Sequence, residues 1–349
     1  MSADLIKSAM FKSFGVFGLN ALMHRRHRES VLVLTYHGVI PESHERDRFR
    51  YHNTVSISEF ERHLRLLSSR FHPISLIDLR AWVEAKTALP PHSVLVTFDD
   101  GFRNNLKYAA PLLTKYAVPA VIFISTGYIG ERRILWPEEV VLRVMQWPLG
   151  SIHCPDREGD FTVSAVTSER RRLAERVCKQ CKRLPVERLN DYLAYLRSEV
   201  HLDPVIAEDN LYAFLTWDEV RALRRQGIEF GSHTVEHMIL SRLPADQLKR
   251  ELCESKARIE KELGVECFSL AYPDGSPKDC SPTVVEAVHQ AGYALSFTVA
   301  NDFQYSSGNP LMFSRVIVPG HVDQAQFEAH VCGTHGFVRS NLERFLGEA

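Results

Sequence analysis

The sequence predicts an α/β fold of parallel strands, closed as a barrel or laid out as a doubly wound sheet. Three observations carry this expectation. Short β-rich runs recur from residue 31 onward, several of them apolar almost throughout; helical stretches stand between them; and polar clusters fall just after the ends of the runs.

The first segment, "MSADLIKSAMFKSFGVFGLNALMHRRHRES", places Ile6, Met10, Phe14, Phe17 and Ala21 at helical spacing and ends in Arg25, Arg26 and Arg28. Residues 1–29 are therefore expected to form an amphipathic helix, either docked on the body or in peripheral contact with a membrane. It is too short to span. Lys12 inside the apolar run, the lack of a small-residue cleavage site and the position of the basic residues fit a secretory signal poorly. Seven scattered cysteines point the same way, to free thiols in a reducing compartment. The expected location is cytoplasmic, with peripheral attachment at the inner membrane face and export as the alternatives.

The runs "VLVLTYH", "HPISL", "VLVTFDD", "AVIFIST", "IEFGSHT", "CFSLAYP", "ALSFTVA" and "SRVIVPG" read as strands, most of them buried on both faces. Stretches such as "SEFERHLRLLSSR", "NLKYAAPLLTKY" and "ADQLKRELCESKARIEKEL" read as the crossover helices that parallel neighbours need. This unit covers 30–322. Its regularity breaks between about 131 and 215, where no clear buried strand appears, so a helical insertion is expected there, capping one end or walling a site. Within it "SERRRLAERVCKQCKRLPVERL" reads as an exposed helix, and the bland reading of its "CKQC" is favoured over a redox or zinc motif because no second cysteine pair accompanies it. Residues 323–349 read as a C-terminal tail.

Composition bounds the function. At 349 residues and 45% hydrophobic the chain can bury a sizeable core, and 42 basic against 43 acidic residues give a net charge of -1, which recommends no nucleic acid partner. Oligomeric state is not set by these features.

The chemistry gathers in "TFDDG", "SHTVEH" and "YPDG", each after a strand, where parallel α/β folds bind ligands. Asp99 and Asp100 would repel each other unless a cation relieved them, although an isolated Asp-Asp-Gly is also an ordinary turn or helix cap. "HTVEH" fits a zinc-peptidase pattern, but the strand-like "IEFG" before it puts His233 at a strand end and His237 in the next turn, not on one helix. Two histidines and one aspartate leave coordination positions open, as a catalytic metal site requires.

These three motifs, in this order, resemble those of the polysaccharide deacetylase family, also called the NodB homology or carbohydrate esterase family 4 group. The flanking "LTYHGV", "FRNNLKYAAPLLTKYAVPAVIFISTGYIG" and "LTWDEVRALRRQGIEFGSHT" are similar to its exopolysaccharide-associated branch, and the likeness covers roughly 30–320. The resemblance implies a distorted (β/α) barrel and a divalent metal held by Asp100, His233 and His237, zinc first, with cobalt, nickel or iron as alternatives. It also implies Asp99 as general base and the backbone N–H of Asp274, after Pro273, as oxyanion donor. The expected reaction is removal of an N-acetyl group from an aminosugar in a polysaccharide, oligosaccharide or lipid-linked glycan. A deformylase or non-sugar amide hydrolase, and a non-catalytic carbohydrate-binding relative, are the alternatives.

The chain departs from the family pattern in two places. Ala271 stands where an arginine often orients the base, and Asp274 where tyrosine is common; Arg315 could replace the guanidinium, or pair with a structural carboxylate instead. The late histidine motif of many relatives is not clean here, since His321, His330 and His335 lack its context. His37, at the end of the first strand, is the candidate acid, against a buried structural histidine as the alternative. Tyr36, Tyr272, Pro273 and Trp217, beside these motifs, are the candidate substrate contacts.

Overall fold

Each of the eight apolar runs becomes one strand of a single curled parallel sheet. A computed structural model describes residues 18–44, 54–156, 158–203, 212–305, 308–320 and 322–338. Its strands are, in chain order, β1 (Leu32–Tyr36), β2 (Gly38–Ile40), β3 (Thr54–Ser56), β4 (His72–Pro73), β5 (Ser93–Phe98) and β6 (Ala120–Ile124). Then come β7 (Gly150–His153), β8 (Asp160–Val163), β9 (Glu229–Ser232), β10 (Ser269–Ala271), β11 (Leu295–Phe297) and β12 (Val316–Ile317). The main sheet runs β11-β10-β9-β6-β5-β1-β12, with β4 against the start of β5. Its two ends meet, because Phe313 bridges to Phe297 of β11 while Val316 pairs with Leu34 of β1. This is the distorted barrel the sequence implied.

Side-chain alternation sorts the strands into two cores. Val31, Val33, Leu95, Val121, Phe123, Ala271, Leu295 and Phe297 fill the inside. Leu32, Leu34, Tyr36, Val94, Val96, Phe98, Ile122 and Leu270 face the surrounding helices, among them Ile57–Arg70, Ala110–Tyr116, Trp217–Arg225 and Ala245–Leu263. Local sequence starts these helices sharply: Ser56 with Glu59, and Thr216 with Glu219, form reciprocal caps.

The segment from about 131 to 215 folds around a core of its own. Helices Trp136–Gln146, Thr167–Cys181 and Val186–Glu199 and the antiparallel β7–β8 hairpin enclose Val140, Val144, Ile152, Phe161, Val177 and Leu196. The charged run expected as an exposed helix is helical but amphipathic. Its Leu173, Ala174, Val177, Cys178 and Cys181 turn inward, and burial raises the Cys181 thiol, which suits packing and not redox chemistry.

The first and last described helices both touch the barrel. Helix Leu19–Arg26 buries Asn20 and Met23, and His24 stacks on His92 at 3.8 Å. Of the expected apolar stripe, Ala21 is exposed, while Ile6, Met10, Phe14 and Phe17 lie outside the described residues. The region set apart as a tail opens with helix Gln324–Val331, whose Phe327 is buried and stacks on His63 at 3.6 Å, so this part of it is integral to the core. No helix among the described residues is long and apolar enough to cross a membrane.

Candidate active site

Alternation on β1 and β5 aims the first functional residues. Val31, Val33 and Thr35 point into the barrel, and His37 continues that phase. Leu95, Thr97 and Asp99 do the same on the neighbouring strand, where Thr35 and Thr97 lie side by side in the sheet. Asp100 would point outward if the strand continued. Instead the backbone turns there, with φ of 73° at Asp100 and 88° at Gly101, so both carboxylates reach one cavity.

The Asp100 carboxylate meets two imidazoles. Its Oδ1 lies 3.5 Å from His233 Nε2 and 3.3 Å from His237 Nε2, all three residues are buried, and this Oδ1 has no hydrogen-bond partner among the described residues. Nδ1 of His233 donates to the Ala271 carbonyl at 2.8 Å, which leaves Nε2 as the free, electron-pair-bearing nitrogen. An orphaned buried carboxylate oxygen facing imidazole nitrogens is the donor set of a divalent metal, so the residues fit the ion the motifs implied. Burial raises the Asp100 carboxyl, but the two imidazoles and His37 outweigh it and hold the group well below the usual carboxylate range.

The loop carrying the histidines is not helical, which removes the one-helix peptidase geometry. It is held in strain: Thr234 and His237 have φ of 68° and 54°, values that cost a non-glycine residue of order 1–3 kcal/mol each. Its supports are specific. Glu251 accepts from the Val235 and Glu236 N–H groups at 2.8 and 2.9 Å, and Trp136 of the insertion donates its indole N–H to the His237 carbonyl at 3.0 Å.

Asp99 takes the other role. Arg315, fully buried, clamps its two oxygens at 2.7 and 2.8 Å, and its guanidinium is fixed further by the Thr97 hydroxyl and the Thr298 carbonyl, each at 3.3 Å. Arg315 reaches this carboxylate from the residue just before β12. Burial raises Asp99, while Arg315 and His233 lower it further than burial lifts it.

Asp99, Asp100, His233 and His237 line one cavity of about 210 Å³, together with His37, Tyr272, Asp274, Leu135, Pro137, Glu138, Lys182, Val299 and Ile317. His37 presents a buried Nδ1 that has no partner among the described residues. Three expected substrate contacts are corrected. Tyr36 points away from the cavity into the helical layer, its hydroxyl on His63 at 3.3 Å, because it is out of phase with Thr35 and His37. Trp217 opens a helix outside the barrel and lies under Arg258 at 5.2 Å, and Pro273 is buried without lining the cavity. Tyr272 does line it, although its hydroxyl is committed to the Leu311 carbonyl at 3.0 Å. Of the late histidines, His330 and His335 stack on each other away from the cavity, and His321 lies outside the described residues.

Sequence reasoning missed two charged lining residues, Glu138 and Lys182, both from the insertion. Lys182 pairs with the Asp274 side chain across the cavity rim. Nothing in "LWPEEVV" or "CKQCKRL" marks them, since charges in a first helical turn or at a helix end are ordinary.

A protein-family model described as Polysaccharide deacetylase matches residues 86–296. The chain belongs to the polysaccharide deacetylase family. Within that match lie Asp99, Asp100, His233, His237 and Asp274; His37 and Arg315 fall outside it. Over 80 residues this polysaccharide deacetylase is 36% identical to the poly-beta-1,6-N-acetyl-D-glucosamine N-deacetylase of Staphylococcus aureus, a stretch covering 22% of this chain and 27% of that protein. The match therefore spans about a quarter of the relative's length. Two solved structures share the fold. The Streptococcus pyogenes deacetylase PplD in complex with acetate superposes with a TM-score of 0.55 at 18% identity, covering 84% of this chain and 93% of that one. IcaB from Ammonifex degensii gives 0.55 at 19%, covering 87% and 97%.

Proposed function

We propose that this polysaccharide deacetylase is a metal-dependent hydrolase that removes the N-acetyl group from an aminosugar unit of a glycan. The observation that carries the proposal is the division of labour between adjacent aspartates: Asp100 faces two imidazole nitrogens while Asp99, in the same cavity, is held apart by Arg315.

Asp100 Oδ1, His233 Nε2 and His237 Nε2 would hold the ion. A divalent cation there would supply Lewis acidity, lowering the pKa of water bound to it towards about 7 and polarising a carbonyl. Asp99 is the base that accepts a proton from the attacking water. An ionised carboxylate has about four acceptor positions, and the two Arg315 contacts leave capacity for that proton. Arg315 fixes the orientation of the base, which is where geometry governs rate. The backbone N–H of Asp274, in a left-handed turn with φ of 63°, faces the carbonyl oxygen as charge develops. His37 supplies the proton that the departing amine needs, and burial of its Nδ1 next to the carboxylates suits a group that acts inside the cavity.

The glycan is an N-acetylglucosamine polymer in this reading, a choice supported by the activity for which the Staphylococcus aureus relative is named. The test is acetate release from β-1,6-linked N-acetylglucosamine oligomers, beside N-formyl sugars and non-sugar amides, for wild type and Asp100→Ala. Release from the N-acetyl oligomers alone, abolished in Asp100→Ala, is expected. Preference for a formyl or non-sugar amide would move the assignment to the rival hydrolases, and glycan binding without any release would make the protein a non-catalytic relative.

A further inference from the structure

The insertion reaches into the catalytic cavity with a carboxyl group that the deacetylation chemistry does not use. Glu138 sits in the first turn of helix Trp136–Gln146, is 6% exposed, and lines the same 210 Å³ cavity as Asp99, Asp100, His37 and both histidines. Its Oε2 is buried with no hydrogen-bond partner among the described residues. A purely structural carboxylate at this depth would be paired, as its neighbour Glu139 is, with Arg143 at 2.6 Å and Arg197 at 2.7 Å. Two consecutive glutamates on one helix thus have opposite fates: Glu139 locks the insertion together, and Glu138 is left open towards the cavity.

Glu138 is not a fourth metal ligand in this arrangement. The ligand atoms of Asp100, His233 and His237 lie within 4.8 Å of one another, and Glu138 does not join that group. Burial and the neighbouring Asp100 carboxylate push Glu138 up to about 8, a sign of how poorly the protein itself satisfies it. Its position is fixed on both sides. Trp136, two residues before it, is tied to the His237 carbonyl, and Lys182, at the end of helix Thr167–Cys181, is tied to Asp274 across the rim. The insertion is therefore fastened to the histidine loop and to the Asp274 turn, with Glu138 between the fastenings.

Leaving a buried acceptor unmet is unfavourable, and a ligand hydroxyl can relieve it. The cavity is smaller than the roughly 300–1,000 Å³ of drug-sized pockets, so it suits one pyranose unit with the remaining glycan outside. Resting on the deacetylase reading, we propose that Glu138 is a specificity-determining residue: its carboxyl group accepts a hydrogen bond from a ring hydroxyl of the sugar whose acetamide is being cleaved. The insertion is then the part of the chain that selects a sugar over a plain amide. A site built to bond a hydroxyl discriminates strongly against ligands lacking it, far more than an apolar wall can.

The test uses zinc-loaded full-length Asp99→Asn protein, which is expected to bind without turnover, titrated calorimetrically with β-1,6-linked N-acetylglucosamine oligomers. Adding Glu138→Ala should weaken binding 10-fold or more, while zinc content and unfolding temperature stay close to the parent. Adding Glu138→Gln, which keeps an amide oxygen as acceptor, should recover affinity to within about 3-fold. With Asp99 intact, Glu138→Ala should raise KM and leave kcat nearly unchanged, the signature of binding shared by ground and transition states. Equal affinity with and without Glu138, or loss of zinc in Glu138→Ala, would overturn the proposal while leaving deacetylation standing. If wild type releases no acetate and the Asp99→Asn parent binds no oligomer, the deacetylase reading fails first and takes this assignment with it.

Discussion

Arg315 and Asp99 form a buried two-pronged ion pair, and removing the guanidinium measures what the pair does. In Arg315→Met the carboxylate loses the two charged donors at 2.7 and 2.8 Å while much of the side-chain volume is kept. Breaking a buried pair from one side costs about 3–5 kcal/mol, because it strands an uncompensated charge. For a chain of this size that corresponds to a fall of roughly 4–7 °C in unfolding temperature. Asp99→Asn strands the guanidinium in the same way. In the double variant neither charge remains, so the two costs should fall short of adding by about 2–3 kcal/mol. Thermal unfolding of the four proteins with EDTA in every sample reads this coupling without a contribution from metal affinity. Turnover of zinc-loaded Arg315→Met should drop about 100-fold, since a base displaced by about 1 Å loses that much. Arg315→Lys should recover little of it, because a single ammonium cannot reproduce the fork. Strictly additive stabilities, or full turnover in Arg315→Met, would refute the idea that this arginine replaces the one missing at Ala271.

Other outcomes follow from the packing. Burial holds His63 down to about 3, below the roughly 6.5 of an unfolded imidazole, so the unfolded chain takes up a proton that the folded one refuses and stability falls as pH drops through that window. His63→Phe should cost about 1 kcal/mol at pH 7, where the Tyr36 hydroxyl loses its partner, and should be the more stable protein at pH 5, where the parent has lost about 2 kcal/mol; urea unfolding at both pH values decides it, and a constant gap would contradict it. Trp136→Phe keeps the packing but removes the bond to the His237 carbonyl, and zinc affinity should weaken about 10–100-fold in a competition titration with a chelating dye. Gly231→Ala puts a methyl 2.5 Å from the Phe123 ring and the Ser269 hydroxyl inside the barrel, so unfolding should come about 1–3 kcal/mol earlier.

Much of the fold was legible because each buried parallel strand is a short, mostly apolar run, and all eight runs became strands of the main sheet. The clustering of Asp100, His233 and His237 was legible for a related reason: polar residues directly after such runs have one place to go, the open end of the barrel. Side-chain phase explains the Tyr36 error. Tyr36 sits between Thr35 and His37, so the alternation that brings His37 into the cavity sends Tyr36 out to His63. The insertion was opaque because its core is built from amphipathic helices whose charged faces dominate the text. "SERRRLAERVCKQC" hides five buried positions among its charges, and β7 and β8 show one or two buried residues each. Glu138 and Lys182 reach the cavity only through that tertiary docking, and the Asp99–Arg315 pair spans 216 residues of sequence.

Zinc-edge anomalous diffraction from crystals grown with the metal tests the central assignment most directly. The account requires one strong peak within bonding distance of Asp100 Oδ1, His233 Nε2 and His237 Nε2, with Asp99 still on Arg315 and off the ion. A peak ligated by Asp99, or no peak at this site under zinc-replete conditions, would contradict it.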